Sequence, residues 1–258
     1  MAGVDRYTLL KVFAGSLFVQ SSWSFEKMQS LGFASAISPA LRRIYSGDEA
    51  GLMEAQKRHM SFYNAHPYMA SAVLGASINL EERARRNECR PEAASAFKKM
   101  VMGPYGAIGD AFFWGSLRPF ASCIGVLSAV LWGLWGPVIF LFAYNAVHLW
   151  MRWHGLKKGY ELGTGVVDYI KSLGLPGWGE RLKTAGAATL GALFAVAAMA
   201  VYVGRDVWQF DGVWRWAALA GAASLLVLSY LVLRRGLPLR VLFYAAVVPP
   251  VILMLTGR

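Results

Sequence analysis

Apolar and charged positions are distributed unevenly along the chain. Over residues 1–60 they alternate, as in L-L-K-V-F-A-G-S-L-F-V-Q (Leu9 to Gln20), and no uncharged run is long enough to cross a bilayer. This pattern predicts amphipathic helices, lying at the cytoplasmic interface, against a partner, or packed on the chain's own membrane part. A short apolar run follows from Pro67 to Leu80, with Arg58 and His59 before it and Glu81, Glu82, Arg83, Arg85 and Arg86 after it. A crossing needs roughly 20 helical residues, so a run this short predicts a re-entrant dip with both flanks cytoplasmic.

The second half is more uniformly apolar. After Arg118 no charged residue occurs until Arg152, a stretch of 33 residues. As one helix it would be about 50 Å long, too long for a single perpendicular span, and Gly136-Pro137 divides it into a broken or strongly tilted element. Further uncharged runs of 21, 18 and 17 residues lie between Lys183 and Arg205, between Arg215 and Arg234, and from Val241 to Gly257. They predict three late transmembrane segments. The expected fold is all-α: a polytopic membrane protein with N-terminal amphipathic helices, two re-entrant hairpins and about three to five transmembrane helices. Its regions are 1–60 (amphipathic helices), 61–151 (hairpins and broken membrane helix), 152–183 (a basic cytoplasmic loop) and 184–258 (C-terminal spans).

Composition agrees, with 56% hydrophobic and 16% charged residues. The net charge of +11 does not indicate nucleic acid, because the basic residues cluster at the ends of apolar runs, where they set topology. Residues 152–183 carry six basic against three acidic residues, and Arg234, Arg235 and Arg240 have no acidic neighbour, which places both segments in the cytoplasm, where the N-terminus is also expected. The balanced segment 205–215 then faces outward. No cleaved signal is expected. Neither a disulfide nor a metal site is predicted from Cys89 and Cys123. No nucleophile–base pair and no phosphate-binding glycine loop is present, so no catalytic residue and no cofactor are expected.

The most informative stretch is Met102 to Phe120, M-G-P-Y-G-A-I-G-D-A-F-F-W-G-S-L-R-P-F, which sets Asp110 and Arg118 among apolar residues. Ionisable groups at membrane depth usually mark a polar pathway. The glycines and prolines around them predict broken, re-entrant backbone covered by protein or a water-filled cavity. Pro104-Tyr105-Gly106-Ala107 faintly echoes Pro67-Tyr68-Met69-Ala70, as two hairpins entering one site would. On a helical turn Asp110, Trp114 and Arg118 share a face, at successive i, i+4 positions. A carboxylate, an indole and a guanidinium suit a neutral polyol. The alternative is that Asp110 and Arg118 neutralise each other to hold a hairpin, with Trp114 as packing. Asn64 and His66 stand at the mouth of the first dip, as polar ligands or as helix caps. Asn145, within an apolar run, needs only a hydrogen-bond partner.

Several motifs resemble the IID membrane subunit of the mannose family of the phosphoenolpyruvate-dependent sugar phosphotransferase system. They are S-W-S-F-E-K-M-Q (Ser22 to Gln29), R-H-M-S-F-Y-N-A-H-P-Y-M-A (Arg58 to Ala70), L-E-E (Leu80 to Glu82), the Met102–Phe120 stretch, Gly136-Pro137, Asn145 and R-W-H-G-L-K-K-G-Y (Arg152 to Tyr160). The resemblance covers about residues 12–175. It implies a hetero-oligomer with a IIC subunit in the cytoplasmic (inner) membrane, which binds a hexose of mannose, glucose or amino-sugar type and passes it inward. Soluble IIA and IIB phosphocarrier proteins would phosphorylate it, with no phosphorylated residue on this chain. Trp23, Phe25 and Glu26 would make subunit contacts. The chain departs from the family's usual wording at Ser24, Ala65, Ala72 and Gly106-Ala107, so the sugar could differ. A phosphorylation-independent channel or uniporter and a non-transporting scaffold are the alternative classes.

Overall fold

In the computed structural model, residues 3–202 are described. The chain divides into two compact units, residues 1–191 and 192–258. The expected spans at 216–233 and 241–257, with their flanking charges, lie outside the described residues. Within them the chain is helical: α1 (Arg6–Ser16), α2 (Ser30–Ile44), α3 (Glu49–His59), α4 (Ala70–Arg85), α5 (Ala93–Gly109), a π-helical segment (Asp110–Leu117), α6 (Arg118–Trp132), α7 (Trp135–Leu162), α8 (Val166–Ser172) and α9 (Leu175–Tyr202).

Local chemistry sets the helix ends. The Asp5 side chain accepts from the Thr8 backbone N–H at 2.8 Å, and Asp48 does the same for Gly51 at 2.9 Å, each satisfying a donor at the start of α1 or α3. Lys57 and Arg58 fall in the last turn of α3, where positive charge is favourable. Between α6 and α7 the chain reverses at Gly133, whose φ of 61° is left-handed and suits glycine. The break falls just ahead of Gly136-Pro137; Pro137 is taken into the first turn of α7, where its missing N–H leaves no intrahelical bond unmade.

At the centre, α4 packs along α7. Residues 70–78 of α4 are all buried, and most are small. A Cβ added at Gly75 would stand 2.1 Å from the Leu156 carbonyl oxygen, and one at Gly159 would stand 2.3 Å from that of Ala72. Glycine on both helices therefore lets the two backbones touch, the small-residue packing familiar between membrane helices. Where the length of the apolar run predicted a dip, the chain forms one continuous helix shielded by other helices. Val12, Val19, Phe33, Ile37 and Leu41, from α1, α2 and the segment between them, are fully buried in the same core.

Beyond α4, residues 93–132 run as one continuous 40-residue helix, α5 through the π segment to α6, long and apolar enough to cross a membrane. The broken backbone expected at 102–120 is continuous helix. α7 folds back along α6, with Gly136 against Ala129 and Gly125 against Phe140. This hairpin displays Val130, Leu131, Trp132, Leu134, Trp135 and Phe142 on its surface. The segment 152–183, expected as a loop, is helical: it comprises the end of α7, α8 and the start of α9.

A buried ion cluster joins α2, α3 and α4. The Glu81 carboxylate accepts from Tyr45 Oη (2.7 Å), Arg58 Nη2 (2.7 Å) and His59 Nε2 (2.9 Å). Burial alone would raise the Glu81 carboxyl, but these hydrogen bonds outweigh it and hold it at about 2. Burial, reinforced by Glu81, pushes the Tyr45 phenol up to about 12. Burial also lowers His59, so the ring is neutral with Nε2–H facing Glu81 and its lone pair on Nδ1, an atom with no partner among the described residues. Arg58 carries the compensating charge. Nearby, Lys98 Nζ donates to the carbonyls of His59 (3.0 Å) and Ser61 (3.3 Å), fixing the end of α3 to α5.

Two outcomes follow. Gly75→Ala or Gly159→Ala forces α4 off α7 and should lower stability by about 1–3 kcal/mol, whereas Gly103→Ala, with open space around it, should not; thermal unfolding of the detergent-purified protein measures the difference. Because the folded Glu81 carboxyl titrates below its usual 4.5, its contribution is complete above that pH and drains away as pH falls towards 2. Glu81→Gln, which strands Arg58, should cost about 3–5 kcal/mol at neutral pH and flatten the acid limb of the stability curve.

Candidate functional site

The site begins with a packing conflict in the helix. Pro119 lies in the first turn of α6 and cannot donate to the carbonyl four residues back, where its ring would also clash in a regular α-helix. The preceding eight residues, Asp110–Leu117, widen into π geometry, and Ser116 Oγ bonds the Ala111 carbonyl five residues back at 2.9 Å. Insertions of this kind recur at functional sites. The wider turn buries Phe112, Phe113, Ser116 and Leu117 on one side and leaves Asp110, Trp114 and Arg118 together on the other.

That face is open. Asp110 and Arg118 are exposed and Trp114 is 44% exposed. Among the described residues Asp110 and Arg118 form no ion pair, so the reading in which they neutralise each other is not the arrangement adopted. Both retain their hydrogen-bonding capacity.

His66 lies directly behind Trp114. Its ring is 2% exposed, stacks on Phe113 (centroids 5.0 Å, 14° between planes) and meets Trp114 edge-on at 4.8 Å. Gly109 makes this possible, since a Cβ there would come within 2.3 Å of His66 Cβ. The His66 carbonyl accepts from the backbone N–H groups of Met69 and Ala70, so the backbone closes the start of α4 while the ring faces the π segment. The His66 backbone thus serves the start of α4 while its ring packs behind Trp114. Asn64, two residues earlier, is exposed and its side chain has no hydrogen-bond partner among the described residues.

The loop carrying Asn64 and His66 is held from the first motif. Gln29 donates through Nε2 to the Ala65 carbonyl at 2.9 Å and accepts from the Ala65 N–H at 3.3 Å, while its own N–H donates to the Tyr63 carbonyl at 2.9 Å. Ahead of this bracket, Trp23, Phe25 and Glu26 sit together on an exposed segment, with Phe25 99% exposed. They lie apart from the Asp110 face in sequence and make no hydrogen bond to it.

A group of residues that the sequence reading did not single out for the site adjoins His66. Tyr68 meets the His66 ring edge-on at 4.8 Å, stacks on His148 at 4.4 Å and bonds Tyr144 hydroxyl to hydroxyl at 3.1 Å. The buried Arg152 guanidinium lies 4.9 Å from the Tyr68 ring centroid. Tyr144, His148 and Arg152 are spaced i, i+4, i+8 and so line one face of α7; that spacing within an apolar run was the available signal. Asn145 finds its partners inside α7: Nδ2 donates to the Leu141 carbonyl and Oδ1 faces His148 Nε2, both at 2.7 Å. Among the described residues no group of three or more metal-ligating side chains occurs.

The profile of the PTS system mannose/fructose/sorbose family IID component matches residues 3–207. The PTS system mannose-specific EIID component of Escherichia coli K12 is 38% identical over 189 residues, covering 73% of this chain and 65% of that protein. The alignment therefore spans just under two thirds of that relative's length. The Fructose permease IID component of Bacillus subtilis 168 is 32% identical over 199 residues, covering 76% and 69%. The cryo-EM structure of the mannose transporter ManYZ with microcin E492 matches with a TM-score of 0.60 at 27% identity, covering 100% of this chain and 98% of that one. The open polar face on an apolar helix thus belongs to a fold shared with a membrane transporter, and the chain is a member of the PTS mannose/fructose/sorbose family of IID components.

Proposed function

We propose that this chain is a permease subunit of a phosphotransferase-system sugar transporter, which binds a hexose and moves it across the cytoplasmic membrane together with a IIC subunit. The observation that carries the reading is the Asp110–Trp114–Arg118 face: two ionisable groups without an ion-pair partner among the described residues, and an indole, at the π segment of a 40-residue apolar helix. Leaving such groups unpaired at membrane depth is costly, and a polar ligand repays that cost. Asp110 accepts from neighbouring sugar hydroxyls, Trp114 covers the apolar C–H face of the ring, and Arg118 donates in a fixed fork. His66 backs the indole, and Asn64 supplies a donor and an acceptor at the loop above. The relatives' names, mannose-specific and fructose permease, support a hexose as substrate.

In this reading the chain forms the path and part of the binding site, while phosphoryl transfer belongs to a soluble IIB protein charged by IIA at the cytoplasmic face. The exposed apolar surface of the α6–α7 hairpin meets lipid or the IIC subunit, since a patch of that kind is not left in water. Trp23, Phe25 and Glu26 form a second subunit contact, and the N-terminus lies in the cytoplasm. The basic residues of 152–183 that reach the surface, Lys157, Lys171, Arg181 and Lys183 with the half-buried Lys158, suit a phosphorylated partner.

Asp110→Asn removes one charged acceptor while keeping the shape of the side chain. Uptake of radiolabelled hexose should fall roughly ten- to hundredfold, with membrane insertion and complex size unchanged. Unaltered uptake by the correctly inserted variant would remove Asp110 from the site. Uptake that persists in cells depleted of phosphoenolpyruvate would show a channel or uniporter, and full function with both Asp110→Asn and Trp114→Ala would show a scaffold.

A further inference from the structure

Three buried polar atoms without partners among the described residues lie around Tyr68: His66 Nε2, His148 Nδ1 and Arg152 Nε. The hydrogen-bond network assigns what each offers. His66 Nδ1 accepts from the Tyr68 backbone N–H at 3.3 Å, so the proton of the neutral ring is on Nε2, which is an unused donor. Asn145 commits Nδ2 to the Leu141 carbonyl and turns Oδ1 to His148 Nε2, so that nitrogen carries the proton and His148 Nδ1 is an unused acceptor. Tyr68 and Tyr144 share one hydrogen between their hydroxyls at 3.1 Å, which leaves one hydroxyl hydrogen free to be donated outward. Arg152 is 3% exposed, bonds the Ser16 carbonyl and supports the Tyr68 ring from beneath.

A buried polar group left without a partner is costly, and three around one ring call for an occupant. The mixture identifies its chemistry. The two histidines offer one donor and one acceptor and the tyrosine pair a further donor, a mixed set rather than the purely donating lining of an anion site. A hydroxyl both donates and accepts. Tyr68, Tyr144 and His148 are each only partly buried, so their side chains reach the surface although the three atoms themselves are covered, and the His66 ring touches Trp114.

We propose that Tyr144 and His148, held by Tyr68 and Arg152, form a second wall of the sugar site and read hydroxyl groups of the same hexose that Asp110, Trp114 and Arg118 bind. The proposal rests on the hexose reading above and adds that α7, as well as the π segment, touches the substrate. His66 Nε2–H donates to the sugar and His148 Nδ1 accepts from it. Tyr68 and Arg152 act as positioning residues: one fixes the His148 ring by stacking, the other fixes Tyr68.

His148→Phe keeps the ring stacked on Tyr68 and deletes the acceptor. The test is equilibrium binding of labelled mannose, fructose and sorbose to the complete membrane assembly purified through this chain, with each monodeoxy analogue as competitor. The expected result is a ten- to hundredfold loss of affinity, together with loss of discrimination at one hydroxyl: one deoxy sugar that binds poorly to the unaltered protein competes as well as the parent sugar on the variant. If His148→Phe does not assemble, Tyr144→Phe decides, with a loss of about tenfold expected. Unchanged affinity and unchanged deoxy-sugar discrimination in an assembled variant would overturn the proposal and leave the three atoms to ordered water. If that result accompanies lost binding in Asp110→Asn, the hexose reading stands without the second wall. An unaltered assembly that binds none of the three sugars overturns both.

Discussion

The backbone contact between α4 and α7 is the constraint on which the rest of the described structure depends. Gly75 against the Leu156 carbonyl and Gly159 against that of Ala72 bring the two helices closer than side chains of ordinary size would permit. The aromatic and basic cluster behind the candidate site is referred to that contact. Tyr68 stands at the start of α4 and His148 and Arg152 on α7, so the distance between helices sets whether the tyrosine can stack on the histidine and rest on the guanidinium. At the other end of α4, Glu81 ties the same helix to α2 and α3. The central helix is therefore fixed by close packing in its middle and by hydrogen bonds at its two ends.

Much of this was legible in the sequence, in unequal measure. The all-helical class follows from the lengths of the apolar runs and the positions of the charges between them. The common face of Asp110, Trp114 and Arg118 was readable because i, i+4 spacing holds approximately in both α and π geometry. The π segment itself was not readable. It arises from the relation of Pro119 to the carbonyl of Gly115, and the same residues could equally have produced a break.

At Pro67–Leu80 the length of the run says little about what surrounds it. Fourteen apolar residues read as too few to cross a bilayer, which presumes that lipid is what covers them. Here α7, α5, α2 and α1 cover them, and the small residues of α4 reflect helix contacts on all sides. The cluster of Tyr68, Tyr144, His148 and Arg152 was missed for a related reason. Its members come from two motifs about 80 residues apart, and only the fold shows that they meet. Arg152 was counted as a topogenic charge, although its guanidinium is buried and bonded to the end of α1. Charge counting assumes that each basic residue lies in water, and one did not.

The continuous helix from Ala93 to Trp132 also has a mechanical meaning. At about 1.5 Å per residue it is a strut of roughly 60 Å, stiff along most of its length and held near its base by Lys98. The π segment is a joint in it, in addition to the hydrogen bond lost at Pro104, and the α6 arm beyond it is about 22 Å long. A flexure of about 10° at the joint displaces the far end by about 4 Å, comparable to the rise of three residues. Asp110 and Trp114 sit in the joint itself. Any load that bends this lever is therefore felt first at the polar face, and any molecule gripped there stiffens the whole beam.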